Sequence, residues 1–547
     1  MRLRGSAVSA KWPRGYCILF VAVTVGSIAL RLPGLKKRPM HLDEAVHAIK
    51  FGELLERNVY RYNPREYHGP TLNYFTLVAA WLSSARRFID VSEVTLRIVP
   101  VFFGVLSVVL LLLLVEGLGW PAIIVAAVLT CVSPAMVFYN RYYVQETLLV
   151  CFTFGVIACG YRYTQGKTVK WAILTGVFLG LMHATKETSI IAFGSMLLAI
   201  LLTLFRWRRQ GGSVGRTVEI VRPVHLLAGL VAAAVVSVLF YSSFFSNPAG
   251  ILDSFRTYVT YFNRAGDSSV HIHPWYYYLQ VLIYFKCGSG PVWTEGPIVI
   301  LAVFGFAVAV TKKSMSSGNS QLLRFIALYT LVMTIVYSAI PYKTPWCMLG
   351  FLHGMILLAG VGAVALVKLA PKVLPRLVVI CLLAAACVHL LWQAYLANYK
   401  YYADSRTPYV YAHTTTDVFA MVQRIEEIAE VHEDGKAMPI HFICPDRHDY
   451  WPFPWYLRSF SNVGYWDRVT DNVISAAVII ASPSVEQQLI TRLYELQEPG
   501  HTNLYVGLFD TYVEIRPQVE LRGYITKDLM DRFWRHKSES AEAQGDR

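Results

Sequence analysis

The chain has 547 residues, 55% of them hydrophobic and 16% charged, with a formal net charge of +14. Soluble domains average about 25% charged residues, so this composition excludes a wholly soluble protein and describes a membrane protein with a soluble part. Much of the Lys and Arg excess sits in short loops between apolar runs, where it sets topology. No zinc-like Cys/His spacing or basic helix with interleaved aromatics accompanies it, so nucleic acid is not a partner.

A spanning helix takes about 20 mostly apolar residues. Such runs fall at 16–32, 96–115, 120–138, 147–163, 171–183, 189–204, 224–244, 298–310, 322–340, 347–367 and 377–396. Basic residues precede the first run as in a signal peptide, but no small-residue cleavage site follows it, so it reads as an uncleaved span. A further run at 71–84 is short and only moderately apolar. If it lies flat on the outer surface and the N-terminus is cytoplasmic, the basic loops 162–170, 206–222, 312–324 and 368–376 all face the cytoplasm, as the positive-inside rule asks. The expected fold is therefore polytopic and α-helical, with about eleven transmembrane helices and a flat juxtamembrane helix in residues 1–398. The same parity places MHLDEAVH (40–47), YHGP (67–70), NRYYVQE (140–146), HATKETS (183–189), the loop 246–292, PYKTPW (341–346) and everything after 399 on the exocytoplasmic side.

From 399 the composition becomes that of a soluble domain. An amphipathic helix at 415–431, short buried strands at 441–444 and 476–480, a helix at 485–496 and strand-like segments at 503–509 and 513–520 suggest a small α/β domain over 399–537. The polar residues 538–547 read as a disordered tail. Seven of the nine cysteines lie in or beside apolar runs, where Cys behaves as a small hydrophobe. Cys287 and Cys444 lie outside them and could pair, but no disulfide framework follows.

The chemistry-bearing residues sit at the edges of the spans. Asp43 and Glu44 are adjacent carboxylates after the first span. They could be solvated loop residues. In a transfer from an activated sugar to a hydroxyl, one would take the acceptor proton, and only one, because adjacent helix positions diverge by about 100°. His41 and His47 could join Asp43 around a divalent metal, which is possible but not favoured; the expected cofactor is none. Arg141 and Glu146 follow a Pro-ended span, either as an ion pair or as an anion holder and a second acidic group. Lys186, beside Glu187, either snorkels or binds a phosphate. Lys343 makes the same offer, with Tyr342 as a hydroxyl donor. Converging cations would stabilise a departing lipid phosphate. The aromatics of HPWYYYL (273–279), with Trp275, suit interfacial anchoring. Those of DYWPFPWYLR (449–458), with Tyr450, Trp451 and Trp455, could face a sugar or lipid, and Pro452 and Pro454 argue against a regular element there.

The order of these motifs resembles the C-type membrane glycosyltransferases, in particular the clan of protein O-mannosyltransferases and lipid A aminoarabinose transferases. HLDEAVHA, HGPTLNYF, TKET, HPWYYYL, YKTPW and DYWPFPWYLR together resemble the bacterial and archaeal "flippase activity-associated" family of that clan. The transferase-like part covers roughly 16–200 and the closer resemblance nearly the whole chain. The resemblance implies a polyprenyl-phosphate sugar donor, Asp43 as the base, Glu146 as the second acidic residue (usually Asp in relatives), and Lys186, Tyr342 and Lys343 near the donor phosphate. His68 stands where relatives often carry lysine, and a neutral His is a weaker clamp. Donor-phosphate candidates are thus Lys186, Lys343, Tyr342, Arg141 and His68; acceptor or sugar candidates are His47, Trp275, Tyr450, Trp451 and Trp455.

The expected function is a multi-pass glycosyltransferase of the cell envelope. It would move a hexosyl or pentosyl group from a polyprenyl phosphate to a glycan, lipid or protein acceptor outside the membrane. An accessory or transport protein for lipid-linked sugars is the alternative. A transporter would place charges at mid-membrane and often shows inverted repeats, whereas these charges cluster at one face and no repeat is found. A sensor using the outer domain leaves Asp43 and Lys186 unexplained.

Overall fold

The computed structural model describes residues 13–65, 68–209, 221–266, 271–311, 319–495 and 503–545. Its first part is a helical bundle in which each apolar run is helical. In chain order the helices are α1 (Arg14–Arg31), α2 (Leu42–Arg57), α3 (Thr71–Leu82), α4 (Glu93–Leu110, prolonged to Leu118), α5 (Trp120–Val132), α6 (Pro134–Tyr139), α7 (Glu146–Gly166), α8 (Val169–His183), α9 (Ser189–Arg209) and α10 (Pro223–Tyr241). Then follow α11 (Ala249–Gly266), α12 (Tyr277–Ile283), α13 (Gly296–Val310), α14 (Ser320–Ala339), α15 (Leu349–Leu369) and α16 (Val373–Tyr395). Among the described residues eight helices are long and apolar enough to cross a membrane. Thr71–Leu82, Trp120–Val132, Val169–His183 and Gly296–Val310 are apolar but shorter. The protein is a multi-pass membrane protein.

The run expected as one span at 120–138 is two helices. Pro134 has no N–H to continue α5 and suits the first position of a new helix, while Ser133 caps it by accepting from Met136 N at 3.3 Å. Lipid offers little hydrophobic drive between helices, so close packing through small residues takes over. A Cβ on Gly305 would lie 2.0 Å from the Leu358 carbonyl oxygen, and one on Gly362 the same distance from that of Leu301, so α13 and α15 meet backbone to backbone.

The second part is a small α/β domain. Its strands are β1 (Ile440–Ile443), β2 (Val463–Trp466), β3 (Val478–Ala481), β4 (Tyr505–Gly507), β5 (Glu514–Arg516), β6 (Val519–Glu520) and β7 (Arg522–Thr526). Five form one sheet in the order β2-β1-β3-β7-β4, with β1 parallel to β2 and β3, and β7 antiparallel to β3 and β4. Alternate residues of a strand face opposite sides. Ile440 and Phe442 of β1 accordingly join a core with Val418, Met421 and Ile425 of helix α17 (Asp417–Val431), and Ile443 joins another with Val485, Leu489 and Leu493.

Several expectations for this domain need correction. The segment 513–520 is a tight hairpin, β5–β6, turning at Gln518 with φ 71°. The helix expected at 485–496 is a short α-helix, Glu486–Ile490, running into a π-turn, Thr491–Glu495, and residue 496 lies outside the described residues. The expected disordered tail is helical as far as described, because α20 runs Lys527–Gly545 after two short helices, α18 (Phe453–Tyr456) and α19 (Glu486–Ile490). All nine cysteines are free, Cys287 exposed and Cys444 buried, so the 287–444 pair does not form.

Candidate active site

The turn between α1 and α2, residues 32–41, has few backbone partners of its own, and buried backbone carbonyls need donors. Two arginines supply them. Arg97 of α4 donates through Nη1 to Leu35 O (2.6 Å) and Arg38 O (2.8 Å), and through Nη2 to Pro39 O (3.1 Å). Arg141 donates through Nη2 to Pro33 O (2.7 Å) and through Nη1 to Leu30 O (3.3 Å) and the Tyr399 hydroxyl (2.7 Å). Both guanidiniums are buried. Arg141, expected as a phosphate contact, is thus committed to the protein's own carbonyls.

The two adjacent carboxylates have opposite surroundings. The Glu44 side chain is 0% exposed and Asp43 39%. Glu44 accepts Arg97 Nε (2.8 Å) and Nη2 (2.6 Å), Tyr143 N (2.8 Å) and His41 N (3.1 Å), with Arg38 at 3.9 Å. Burial alone would raise its pKa, but Arg97 and Arg38 outweigh that and hold it at about 2. With its acceptor positions filled, Glu44 cannot take a substrate proton, which corrects its assignment as catalytic. It ties α2 to α4 and leaves Asp43 facing outward.

His41 caps α2. Its Nδ1 accepts from Asp43 N at 3.0 Å, so the ring proton lies on Nε2, which donates to Tyr411 O at 3.3 Å. Burial lowers its pKa, so the ring is neutral and its 3.8 Å approach to Asp43 is no ion pair. Both nitrogens are spent, so the His41–Asp43–His47 metal set does not form. Among the described residues no group of three or more His, Cys, Asp or Glu is disposed to hold a metal.

Around Asp43 the chain builds an aromatic and imidazole surround. The Tyr411 hydroxyl joins His271 Nδ1 (2.6 Å) and His273 Nε2 (3.0 Å). His413 stacks on Tyr142, with centroids 5.3 Å apart, and Trp346 lies 5.9 Å from both His41 and Tyr142. The Tyr142 hydroxyl is buried without a partner, and Asp43 is among the charges acting on Tyr142 and His271. Tyr342 remains part-exposed, with its ring 5.3 Å from His271. Lys343 is buried, and its ammonium donates to Ile340 O and to His273 O at 3.1 Å. It staples the PYKTPW turn, so it offers a phosphate less than expected.

One turn along α2, at the i+4 position that shares Asp43's face, His47 enters a second cluster. Gln145 Nε2 approaches His47 Nδ1 at 3.4 Å, and the His47 and His68 rings are 6.0 Å apart. Burial, with His68 beside it, pushes His47 down to about 3, so it is neutral. Lys186 pairs with Glu146, both buried. Glu187 accepts from His68 Nδ1 (2.8 Å) and from the Tyr62 hydroxyl (2.8 Å). These segments are clipped together: Thr71 N donates to Ala184 O (3.2 Å), Thr71 Oγ1 meets Thr185 Oγ1 (2.8 Å), and a Cβ on Gly69 would fall 2.3 Å from Ala184 O. From Glu146 an apolar cavity runs between α7, α9, α14 and α15, past Val150, Thr153, Tyr329 and Trp346. A second shares Val150, Thr153 and Tyr329 and continues to Ile157 and His353.

The expected aromatic platform of the outer domain lies elsewhere. Trp455 is fully buried against the bundle, with Nε1 donating to Glu93 Oε1 (3.0 Å), its ring on Phe88, and Arg458 over it at 3.9 Å. Tyr450 packs on Tyr465 at 4.6 Å, and Trp451 packs against the bundle core. Trp275 is exposed and packs edge-on to Tyr276. Arg97, Tyr411 and His413 carry the site without having been singled out, and Glu187 had been noted only as the neighbour of Lys186. An Arg inside the apolar stretch VTLRIVPV was the readable signal for Arg97; for Tyr411 and His413 there was none.

The family model for dolichyl-phosphate-mannose-protein mannosyltransferase matches residues 69–248, a segment that holds Gly69, Arg97, Glu146, Lys186 and Glu187 and leaves Asp43 outside. No curated protein matches the sequence. Among solved structures, ArnT from Cupriavidus metallidurans bound to undecaprenyl phosphate superposes with a TM-score of 0.59 at 15% identity, covering 94% of this chain and 98% of that one. The oligosaccharyltransferase of Archaeoglobus fulgidus tethered with an acceptor peptide superposes with a TM-score of 0.52 at 11% identity, covering 94% and 74%. The archaeal oligosaccharyltransferase AglB from the same organism, in complex with an inhibitory peptide and a dolichol-phosphate, gives 0.52, 11%, 94% and 75%. The fold is that of the C-type membrane glycosyltransferases.

Proposed function

We propose that the protein is a membrane glycosyltransferase that moves a hexosyl or pentosyl group from a polyprenyl phosphate to a hydroxyl acceptor outside the membrane. One observation carries the reading. Asp43 is the outward-facing member of an otherwise locked carboxylate pair and shares a face of α2 with His47, which lies beside His68 and Gln145, while Glu146, paired with Lys186, lines an apolar cavity. The lipid chain would lie in that cavity with its phosphate near Lys186. The acceptor would enter among Tyr411, His271 and Tyr342, whose ring edges and hydroxyls suit a sugar or a peptide side chain. Asp43 takes the acceptor proton as its oxygen attacks the anomeric carbon. Proton removal by a placed carboxylate is worth about 10²–10⁴-fold. Asp43, acting as this base, needs no metal.

The basic loops orient the chain with its N-terminus cytoplasmic and the α/β domain outside. Two solved structures of this fold are described with undecaprenyl phosphate and dolichol-phosphate, which supports the donor class. The test is transfer from labelled polyprenyl-phosphate sugars in membranes. We expect transfer by the intact protein and its loss in Asp43→Asn with folding retained. Transfer that survives Asp43→Asn would remove Asp43 as the base, and no transfer from any donor would remove the reading itself.

A further inference from the structure

We propose that Arg38, Tyr142 and His413 hold a small monovalent anion, a halide such as chloride, in the wall beside Asp43. The proposal stands apart from the glycosyltransferase reading. Each of the three residues is more than nine-tenths buried, with exposures of 7%, 0% and 2%. Each also carries a buried polar atom with no hydrogen-bond partner among the described residues: Arg38 Nε, the Tyr142 hydroxyl and His413 Nε2. An unpaired buried donor is costly and marks a place for a water or an ion. Arg38 Nε–H can only donate. Tyr411 N donates to His413 Nδ1 at 2.9 Å, and Tyr411 O, 3.0 Å from that nitrogen, is taken by His41 Nε2. The His413 proton therefore lies on Nε2. Two N–H groups and one O–H thus want an acceptor in one region of the protein.

The three side chains pack together. The Arg38 guanidinium lies 4.7 Å from the centre of the Phe138 ring and 5.0 Å from that of Tyr142, and the His413 ring lies 5.7 Å and 5.3 Å from the same two. The four side chains close a cycle, which His41 adjoins at 4.7 Å from His413. The charge balance there is positive. Arg38, Arg97 and Arg141 are buried, and Glu44 is the buried carboxylate among them. Glu44 is filled by Arg97, Tyr143 and His41, with Arg38 only at 3.9 Å. Asp43 is 39% exposed. Buried charge needs a counter-charge. Burial pulls Arg38 down to about 9; Glu44 offsets part of this, and Arg97 and Arg141 add to it. Arginine keeps its proton in proteins, so the shift expresses a cation short of its counter-ion. A water accepts two hydrogen bonds and brings no charge. An anion accepts all three and supplies the charge. The enclosure suits a single atom rather than a phosphate. The ion would tie the turn 32–41, the turn 140–145 and the segment around His413, the three pieces that surround Asp43.

The test measures the thermal midpoint of the purified full-length protein in detergent, in sodium chloride, sodium bromide and sodium gluconate at equal ionic strength. A ligand that binds the folded state raises the midpoint with its concentration. Both halides are expected to do so, and gluconate, too large to enter, is not. Tyr142→Phe keeps the ring and removes the hydroxyl. The halide concentration that gives half the rise should increase about tenfold in this variant, the worth of one hydrogen bond to a charged group. Arg38→Gln should abolish the rise. Crystals of the wild type grown in bromide give a readout that needs no variant to fold: an anomalous peak within hydrogen-bond distance of Arg38 Nε, Tyr142 Oη and His413 Nε2. Equal midpoints in halide and gluconate, a halide effect that Tyr142→Phe leaves unchanged, or bromide bound elsewhere with water at this place overturns the proposal. None of these outcomes bears on sugar transfer by Asp43.

Discussion

Asp43 and Glu44 show how far apart two neighbouring residues can stand in role. Asp43→Asn is expected to lower transfer by about 10²–10⁴-fold while leaving the thermal midpoint near wild type, because the side chain is part-exposed. Glu44→Gln is expected to do the reverse in its first effect. It leaves the buried Arg97 guanidinium without its counter-charge, and breaking a buried pair costs about 3–5 kcal/mol, so the thermal midpoint drops. The pH dependence has a definite sign. Glu44 sits at about 2 in the folded protein against ~4.3 unfolded. Its contribution is therefore complete above the unfolded value and is lost as pH falls through 4 towards 2. Thermal melts over that window should show wild type losing stability and Glu44→Gln changing less. The DE pair and its spacing were readable in the sequence, but the choice between its members was not, since it depends on Arg97, 53 positions further on.

At the scale of elements, the site depends on how α2 and the two flanking turns are clipped. α2 begins where it does because His41 and Glu44 form a reciprocal cap, and that cap turns Asp43 and His47 to one side. The HGPT turn leans on the HATKETS turn through a contact only glycine permits. Gly69→Ala would force the Ala184 carbonyl away, a shift of the overpacking kind that costs about 1–3 kcal/mol. Binding of polyprenyl phosphate should weaken severalfold in this variant even where the protein still folds, and a titration with undecaprenyl phosphate checks it. The capping potential of MHLDEAVH and the Pro-ended helix before Arg141 could be read from sequence. The contact between Gly69 and Ala184 could not, because no local pattern records which two turns meet.

At the scale of the whole molecule, the α/β domain is part of the site. Tyr456 OH accepts from Met40 N at 2.9 Å, and Thr414 Oγ1 donates to Met40 O at 2.7 Å, so the residue preceding His41 is gripped from both sides by the C-terminal part. Trp455 docks the domain on Glu93 at the start of α4 and on Phe88 in the turn before it. Trp455→Ala removes a fully buried indole, a loss of about 3–5 kcal/mol. We expect faster proteolysis of the domain and reduced transfer together. Reduced transfer with an undisturbed domain would instead give Trp455 a direct part in acceptor binding.

The sequence by itself determined the apolar runs, the polar turns between them and the switch to a soluble composition near 399, because membrane insertion and strand burial act through local composition and period. It also marked DE, HGP and TKET as the turns worth attention. Only the tertiary structure decided what each polar group does there. It committed Arg141 and Lys343 to carbonyls, Glu44 to Arg97 and Trp455 to the bundle, and it brought Tyr411 and His413 over Asp43's neighbours. The reason is that a buried charge or indole takes its partner from whichever segment the fold brings near, and that segment is a hundred or more positions away for several of them.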